Sequence, residues 1–129
     1  MSGIESINAI TLRTTVMAAS VQFYEALGFQ LSYGGTDASF STLRSGGCFV
    51  NLIAVTDPAG VETGWGRVIF HVGDVDALYR RALGAGLRPQ AEPLDAPWGE
   101  RMFAIFDPAG HDLSFAKRIR AYEADHPKL

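Results

Sequence analysis

The sequence has few of the residues that build disulfide frameworks, nucleic-acid surfaces and membrane spans. Its 129 residues include one cysteine, Cys48, so an intrachain disulfide is impossible and a reducing compartment is expected. Eleven basic against 14 acidic side chains give a formal charge of −3, which does not favour a nucleic-acid partner. Residues 1–8 lack the layout of a signal peptide, and no apolar run approaches a membrane span. We therefore expect a soluble, cytoplasmic globular domain.

Residues for nucleophilic catalysis are also scarce. The three histidines, the one cysteine and the scattered serines show no triad or nucleophile-elbow spacing. The Gly46-Gly47 pair lacks the spacing of a phosphate-binding loop and is typical of a hairpin turn. The sequence therefore predicts no catalytic set.

The strongest local signal that is present lies in residues 97–117, P-W-G-E-R-M-F-A-I-F-D-P-A-G-H-D-L-S-F-A-K. Asp107, Pro108 and Gly110 occupy the turn positions that each residue type favours. Gly110 can adopt the left-handed conformation that a type I turn with a bulge needs. The apolar, strand-sized flanks then predict a hairpin of residues 101–106 and 112–117.

The chain contains two similar series of elements, and the second series ends with this hairpin. The first series is strand, helix and three strands, at residues 7–13, 16–27, 29–33, 38–44 and 48–55. Thr15 is the expected N-cap of the helix, and Gly28 its stop. One apolar stripe of the helix faces a core: Met17, Val21, Tyr24 and Leu27.

The second series repeats this order after a linker rich in helix and strand breakers. We predict a strand at 65–72, a helix capped by Asp74, a strand at 87–92 and then the hairpin. The match of Ala26-Leu27-Gly28 with Ala82-Leu83-Gly84 suggests an internal duplication. The predicted architecture is therefore α+β, with module 1 at 7–55, the linker at 56–64, module 2 at 65–117 and a polar tail at 118–129.

This doubled unit resembles the vicinal oxygen chelate superfamily, which includes glyoxalase I, bleomycin-resistance proteins and extradiol dioxygenases. The similarity rests on F-Y-E-A-L-G-F at 23–29, G-D-V-D-A-L-Y at 73–79 and the D-P-A-G-H turn, and it covers about residues 8–117. Residues 97–115 are most similar to the bleomycin-resistance and glyoxalase-like branch. The resemblance implies two βαβββ modules that curl a mixed sheet round a cavity, with helices outside, and a homodimer.

In the metal-using members of that superfamily, four inward positions supply His, Gln or Glu ligands. By position, the resemblance carries these onto Ala9, Asn51, Arg67 and Ser114. None of the four is a usual ligand of a divalent ion, and the Arg67 cation opposes one. We therefore expect neither a metal nor another cofactor.

We expect the cavity to bind a small molecule between aromatic and polar side chains. The inward faces predict this candidate set: Phe40, Phe49, Asn51, Trp65, Arg67, His71, Trp98, Phe106, Asp112 and Ser114. Phe106 is included because a bulged turn pairs it with Asp112 and pairs Ala104 with Ser114, whereas a two-residue turn would bring Phe103 and Ile105 inward.

Each candidate also has a purely structural interpretation. The Phe and Trp residues can be core, and Arg67 can form an internal salt bridge with Asp112 or Glu100. His71 can be a hydrogen-bonded structural histidine, while His111 and His126 are expected to be solvated. Cys48 is expected to be a small buried apolar residue.

Two functions remain open at this point. One is a metal-free protein that sequesters an aromatic or amphipathic drug or metabolite, as in the bleomycin-resistance branch. The other is a glyoxalase-like lyase, isomerase or dioxygenase with displaced ligands, for which His71, Asp112 and Glu100 are the candidate donors.

Overall fold

A computed structural model describes residues 3–120 and has the α+β architecture that the sequence predicted. The chain divides into two compact units between Thr63 and Gly64. Each unit contains a four-stranded mixed sheet and one helix, in the order strand, helix and three strands. This repeated order confirms the two βαβββ modules.

The elements of unit 1 are β1 (Ala9–Thr14), α1 (Met17–Ala26), β2 (Gln30–Tyr33), β3 (Phe40–Ser45) and β4 (Cys48–Ala54). Its sheet has the strand order β1-β4-β3-β2. Strands β1 and β4 run parallel, and the other neighbours run antiparallel. The hairpin of β3 and β4 closes through Gly46 and Gly47, as predicted, with Ser45 opposite Cys48.

The elements of unit 2 are β5 (Arg67–His71), α2 (Val75–Gly84), β6 (Leu94–Asp95), β7 (Glu100–Phe106) and β8 (Asp112–Arg118). Unit 2 repeats the arrangement of unit 1 with the sheet order β5-β8-β7-β6. Strand β5 runs parallel to β8, and the hairpin of β7 and β8 is antiparallel.

Helix α1 packs its predicted stripe into the core of unit 1. Met17, Val21, Tyr24 and Leu27 are all buried, and full burial of such apolar side chains contributes about 1.5–3 kcal/mol each. Gly28 follows with φ of 103°, a left-handed value that glycine adopts without strain.

The predicted N-cap of α1 was wrong. The helix begins at Met17, so that Val16 and not Thr15 is the N-cap, and no side chain caps it. The reason lies one residue earlier, where the Thr14 hydroxyl accepts the Val16 N–H at 3.0 Å and shares a hydrogen bond with Ser20 at 2.8 Å. In α2 the predicted cap is confirmed, since Asp74 Oδ1 accepts the Ala77 N–H at 3.0 Å.

The turn between β7 and β8 has the predicted chemistry. The Gly110 N–H donates to the Asp107 carbonyl at 2.9 Å, and Gly110 has φ of 95°. Asp107 is buried, and its Oδ1 accepts the N–H groups of Ala109 and His111 at 3.0 and 2.9 Å. The side chain therefore satisfies two turn donors that the strand ladder leaves unpaired.

The strand predicted at 87–92 was also wrong. The second strand of unit 2 is the two-residue β6 at Leu94–Asp95, and residues 87–92 form no strand. Pro89 and Pro93 cannot donate to a ladder, and only the Gln90 N–H reaches β7, at the Ala104 carbonyl 2.8 Å away. Proline therefore prevents a regular edge strand.

The C-terminal tail was expected to begin at 118, but β8 extends to Arg118. The rest of the predicted tail from 121 onward, with His126, lies outside the described residues. Across residues 3–120, none of the helices has the length and apolar character needed to cross a membrane.

Candidate functional site

Each sheet covers its helix with one face, and we call the other face the open face. In unit 1 the helix-side residues Leu43, Val50 and Leu52 are fully buried. Alternation then places Phe40, Phe49 and Asn51 on the open face, as predicted. Phe40 is 37% exposed, while Phe49 and Asn51 are half-buried.

A polar ladder crosses the centre of the open face of unit 1. The Thr42 hydroxyl donates to Asn51 Oδ1 at 2.7 Å, and Asn51 Nδ2 donates to Thr11 Oγ1 at 3.3 Å. These three residues lie side by side on β3, β4 and β1. Tyr33 continues the row on β2, and its ring lies 6.3 Å from that of Phe40. The sequence indicated Asn51 but missed the ladder, because its partners come from strands far apart in the chain.

In unit 2 the strand register confirms the predicted pairing of the last hairpin. Phe106 lies opposite Asp112 and Ala104 opposite Ser114, so all four lie on the open face. The other face packs its aromatic residues towards α2, and the rings of Phe103 and Tyr79 lie 5.5 Å apart. Phe106 is 55% exposed on the open face.

Arg67 has the partner that its structural interpretation anticipated. Its Nε lies 3.8 Å from Asp112 Oδ2, and the two residues are directly opposite on β5 and β8. Gln90 Nε2 donates to the other Asp112 oxygen at 3.3 Å. The side chains of Arg67 and Asp112 are 39% and 23% exposed, so this pair contributes at most about 1 kcal/mol to stability. It nevertheless balances the guanidinium charge locally.

Ser114 is completely buried, and its hydroxyl has no hydrogen-bond partner among residues 3–120. It lies between Ile69 on β5 and Ala104 on β7, which offer it no side-chain polar group. A buried hydroxyl without a partner costs about 1–3 kcal/mol. The sequence did not predict this cost, because it depends on which residues flank position 114 across the sheet.

The positions that correspond to family metal ligands are arranged equivalently in the two units. Ala9 and Asn51 lie on the parallel strands β1 and β4 with an offset of two residues. Arg67 and Ser114 have the same offset on β5 and β8. The internal register of each unit therefore supports the assignment of these four positions.

The residues at these positions do not fit a divalent metal ion. A methyl group, a carboxamide, a guanidinium and a hydroxyl include no imidazole or carboxylate. Asp112 partly offsets the repulsion between the Arg67 guanidinium and a cation, so the poor fit rests on the missing donor groups and not on charge alone. Across residues 3–120, no group of three or more His, Cys, Asp or Glu residues could hold a metal ion.

The donors considered for an enzyme with displaced ligands do not come together. His71 lies opposite Ala116, whereas Asp112 lies opposite Arg67 at the other end of β5. Four residues along a strand correspond to about 13 Å. Glu100 lies further along the sheet, beside Arg118. His71 itself is exposed at the end of β5.

Trp65 and His111 correct two predictions from the sequence. Trp65 precedes β5 instead of lying on its inward face, because the strand begins at Arg67. Its Nε1 donates to His111 Nδ1 at 2.9 Å, and the two rings lie 6.0 Å apart. His111, expected to be solvated, is only 2% exposed. The two residues are 46 positions apart in the sequence, and the fold brings them into contact.

Trp98 also lies outside the strands, in the turn before β7. It is half-buried, and its Nε1 donates to Glu100 Oε1 at 2.9 Å. Glu100 is buried at 5% exposure, so this hydrogen bond helps to satisfy its carboxyl group. Trp98 thus contacts the first residue of β7.

A cleft of about 540 Å³ lies elsewhere on unit 2, at the start of α2. Arg101 lines it and donates to both Asp76 oxygens at 2.7 and 2.8 Å and to Asp95 at 3.0 Å. The Arg101 hydrogen bond lowers the pKa of Asp76 below its ordinary value. Hydrogen bonds to the two carboxylates raise the pKa of Arg101. The Arg101 guanidinium is already hydrogen-bonded to Asp76 and Asp95. None of the residues that line the cleft belongs to the predicted site.

The family model for the Glyoxalase/Bleomycin resistance protein/Dioxygenase superfamily matches residues 6–115. The chain belongs to this superfamily, which confirms the resemblance drawn from its motifs.

Solved structures share the fold at low sequence identity. A bleomycin-binding protein in complex with bleomycin is 23% identical, with a TM-score of 0.70 over 89% of this chain and 99% of that one. Lactoylglutathione lyase from Agrobacterium tumefaciens is 18% identical, with a TM-score of 0.72 over 90% and 96%. An antibiotic-binding protein from a Streptomyces species is 20% identical, with a TM-score of 0.72 over 92% and 99%.

Curated relatives match over a shorter stretch. An uncharacterized protein of Mycobacterium bovis is 39% identical over 54 residues, which is 42% of this chain and 36% of that protein. The match therefore spans about a third of the relative's length.

Proposed function

We propose that this chain is a metal-free binding protein that sequesters an aromatic or amphipathic small molecule. The observation that carries the proposal is the chemistry at the four family metal positions, Ala9, Asn51, Arg67 and Ser114, which provides no ligand set for a divalent ion. What these positions and their neighbours provide is hydrogen-bonding groups beside aromatic rings, the usual composition of a small-molecule site.

The open face of each sheet is a proposed binding surface, considered within its own unit. Aromatic rings contribute area for stacking, and the polar side chains among them fix the orientation of the ligand. The open-face candidates are Phe40, Phe49 and Asn51 in unit 1 and Arg67, His71, Phe106, Asp112 and Ser114 in unit 2. Trp65 and Trp98 lie outside the strands and are not part of these faces. We further propose that the chain acts in the cytoplasm as a homodimer, as the resemblance implied.

Relatives that bind antibiotics support this proposal more than the lyase does. Two of the similar structures are described as a bleomycin-binding protein and an antibiotic-binding protein. The lyase from Agrobacterium tumefaciens keeps an enzymatic alternative open, with His71, Asp112 and Glu100 as its donors here. The separation of those donors along the sheet of unit 2 makes this alternative less favourable.

The test is calorimetric titration in buffer containing EDTA, with bleomycin, other planar antibiotics and simple aromatic acids. We expect at least one compound to bind and to be recovered unchanged by chromatography. Phe40→Ala should weaken that binding about tenfold, because an aromatic contact is worth roughly 1–1.5 kcal/mol. Leu31→Ala is the matched control, since Leu31 is 38% exposed but lies on the helix-side face of the same sheet.

Two results would contradict the proposal. The first is the absence of binding heat with every compound. The second is conversion of a bound compound to product in the presence of EDTA, which would make the chain an enzyme.

A further inference from the structure

The two open faces differ in charge. In unit 2 the open face carries carboxylates as well as arginines, and Arg67 lies 3.8 Å from Asp112. Among the described strand residues of unit 1, the charged ones on the open face are Arg13 and Arg44. Arg44 is exposed and has no ion pair with any residue between 3 and 120. The open face of unit 1 therefore favours a negatively charged ligand.

Strand register arranges the open face of unit 1 into three rows. The central row is the polar ladder of Thr11, Asn51 and Thr42. One neighbouring row contains Phe49 beside Arg44, and the other contains Phe40. Rows on the same face are about 6.6 Å apart, and adjacent strands are about 4.8 Å apart. A planar ring between the rows would thus contact phenylalanine while its substituent reaches the ladder.

The ladder leaves hydrogen-bond donors unspent. Asn51 Nδ2 has two hydrogens and donates one of them to the Thr11 hydroxyl oxygen. Because that oxygen accepts in this contact, the Thr11 hydroxyl hydrogen is still available to donate. Thr11 is exposed and Asn51 is half-buried, so both groups are accessible. An N–H and an O–H on adjacent strands suit an oxygen acceptor, and a charged acceptor gives the stronger hydrogen bonds.

We propose that the open face of unit 1 recognises the anionic group of an aromatic ligand such as an aryl carboxylate. The carboxylate accepts hydrogen bonds from Asn51 Nδ2 and the Thr11 hydroxyl, and Arg44 attracts its charge. The aromatic ring packs against Phe40 or Phe49. This inference rests on the proposed function and refines it, because it assigns the anion to unit 1 and not to Arg67.

The experiment compares two planar probes, 2-naphthoate and its neutral analogue 2-naphthamide, by calorimetry. We expect wild type to bind 2-naphthoate at least tenfold more tightly than 2-naphthamide. Asn51→Asp keeps the size of the side chain but replaces the donor with a negative charge, so it should remove this preference. Arg44→Gln should weaken 2-naphthoate binding several-fold, with a smaller effect at high salt.

Matched variants separate this inference from its alternatives. Thr11→Val leaves the Thr42–Asn51 hydrogen bond intact and should weaken 2-naphthoate binding about tenfold, so it decides the matter if Asn51→Asp impairs folding. Arg88→Gln is the control for the loss of one positive charge, since Arg88 is an exposed arginine of unit 2 outside the candidate set, and it should change the affinity less than twofold. Arg67→Gln tests whether the anion binds in unit 2 instead.

Different failures have different meanings. Loss of 2-naphthoate binding in Arg67→Gln but not in Arg44→Gln, or equal binding of the two probes, would overturn this inference and leave the proposed function standing. A change of oligomeric mass in Arg44→Gln and Asn51→Asp, without a change in probe affinity, would instead make this face an interface between copies. Failure of every compound to bind would overturn both proposals.

Discussion

Asp57 and Asp107 open two copies of the same tetrapeptide, D-P-A-G, in different surroundings. In both, Oδ1 accepts the N–H of the alanine two residues later, at 2.9 and 3.0 Å. Asp107 also accepts the His111 N–H and is 4% exposed, whereas Asp57 is exposed. The same hydrogen bond therefore contributes more to stability at Asp107 than at Asp57, because water can replace the acceptor only where it is exposed.

Asp107→Ala should lower the free energy of unfolding by about 2–4 kcal/mol, because it leaves two turn donors without their acceptor. Asp57→Ala should cost about 1 kcal/mol or less, because water satisfies the freed donor. Urea unfolding of the two variants measures both values. Equal losses would contradict the role assigned to burial.

At the scale of the elements, one arginine ties together a helix and two strands of unit 2. Arg101 on β7 contacts Asp76 on α2 with two hydrogen bonds and Asp95 on β6 with one. The arrangement is bidentate on Asp76, the geometry that favours arginine over lysine. The Arg101–Asp95 hydrogen bond also adds a side-chain contact between β6 and β7, which pair over only two residues.

This contact gives unit 2 a defined pH dependence. Because Arg101 holds the pKa of Asp76 below its ordinary value of 3.8, its contribution is present above that pH. The contribution is lost as the pH falls through the lower folded-state pKa. Asp76→Asn should therefore be less stable than wild type at pH 7, and the difference should shrink below about pH 4.

Chemical unfolding between pH 2.5 and 7 measures this difference. Asp37→Asn is the control, since Asp37 is exposed and forms no ion pair within residues 3–120. A difference between wild type and Asp76→Asn that stays constant down to pH 2.5 would contradict the linkage.

Most elements could be predicted because their signals are local. The alternation of apolar and polar residues predicted which side chains of β3 and β4 share a face. The residues of the turn predicted the last hairpin and its register. The prediction of a strand at 87–92 was wrong because Pro89 lies inside this segment and Pro93 directly follows it, and neither can donate to a strand ladder. The Ala-Leu-Gly match was misaligned, since Met17 begins α1 and Val75 begins α2, so that Gly28 corresponds to Gly86.

The candidate site could be predicted only where it depends on position within a strand. The open-face placement of Phe40, Phe49 and Asn51 follows from side-chain alternation. The partly buried Trp65–His111 hydrogen bond could not be predicted, because it joins a loop before β5 to a turn far along the chain. Nothing in the local sequence specifies such a contact.

At the scale of the whole molecule, two units with the same internal register carry four equivalent positions without metal-binding chemistry. Ala9 and Asn51 occupy them in unit 1, and Arg67 and Ser114 in unit 2. The chain has the family fold, while the four positions assigned by resemblance carry no imidazole or carboxylate. This is the basis of our proposal that the chain binds a small molecule without metal-dependent turnover.

Elemental analysis of protein purified without chelators tests this claim most directly. After incubation with Fe, Ni, Mn or Zn salts and gel filtration, we expect far less than one metal ion per chain. One equivalent of any of these metals, released by His71→Ala, would contradict it and favour an enzyme with displaced ligands.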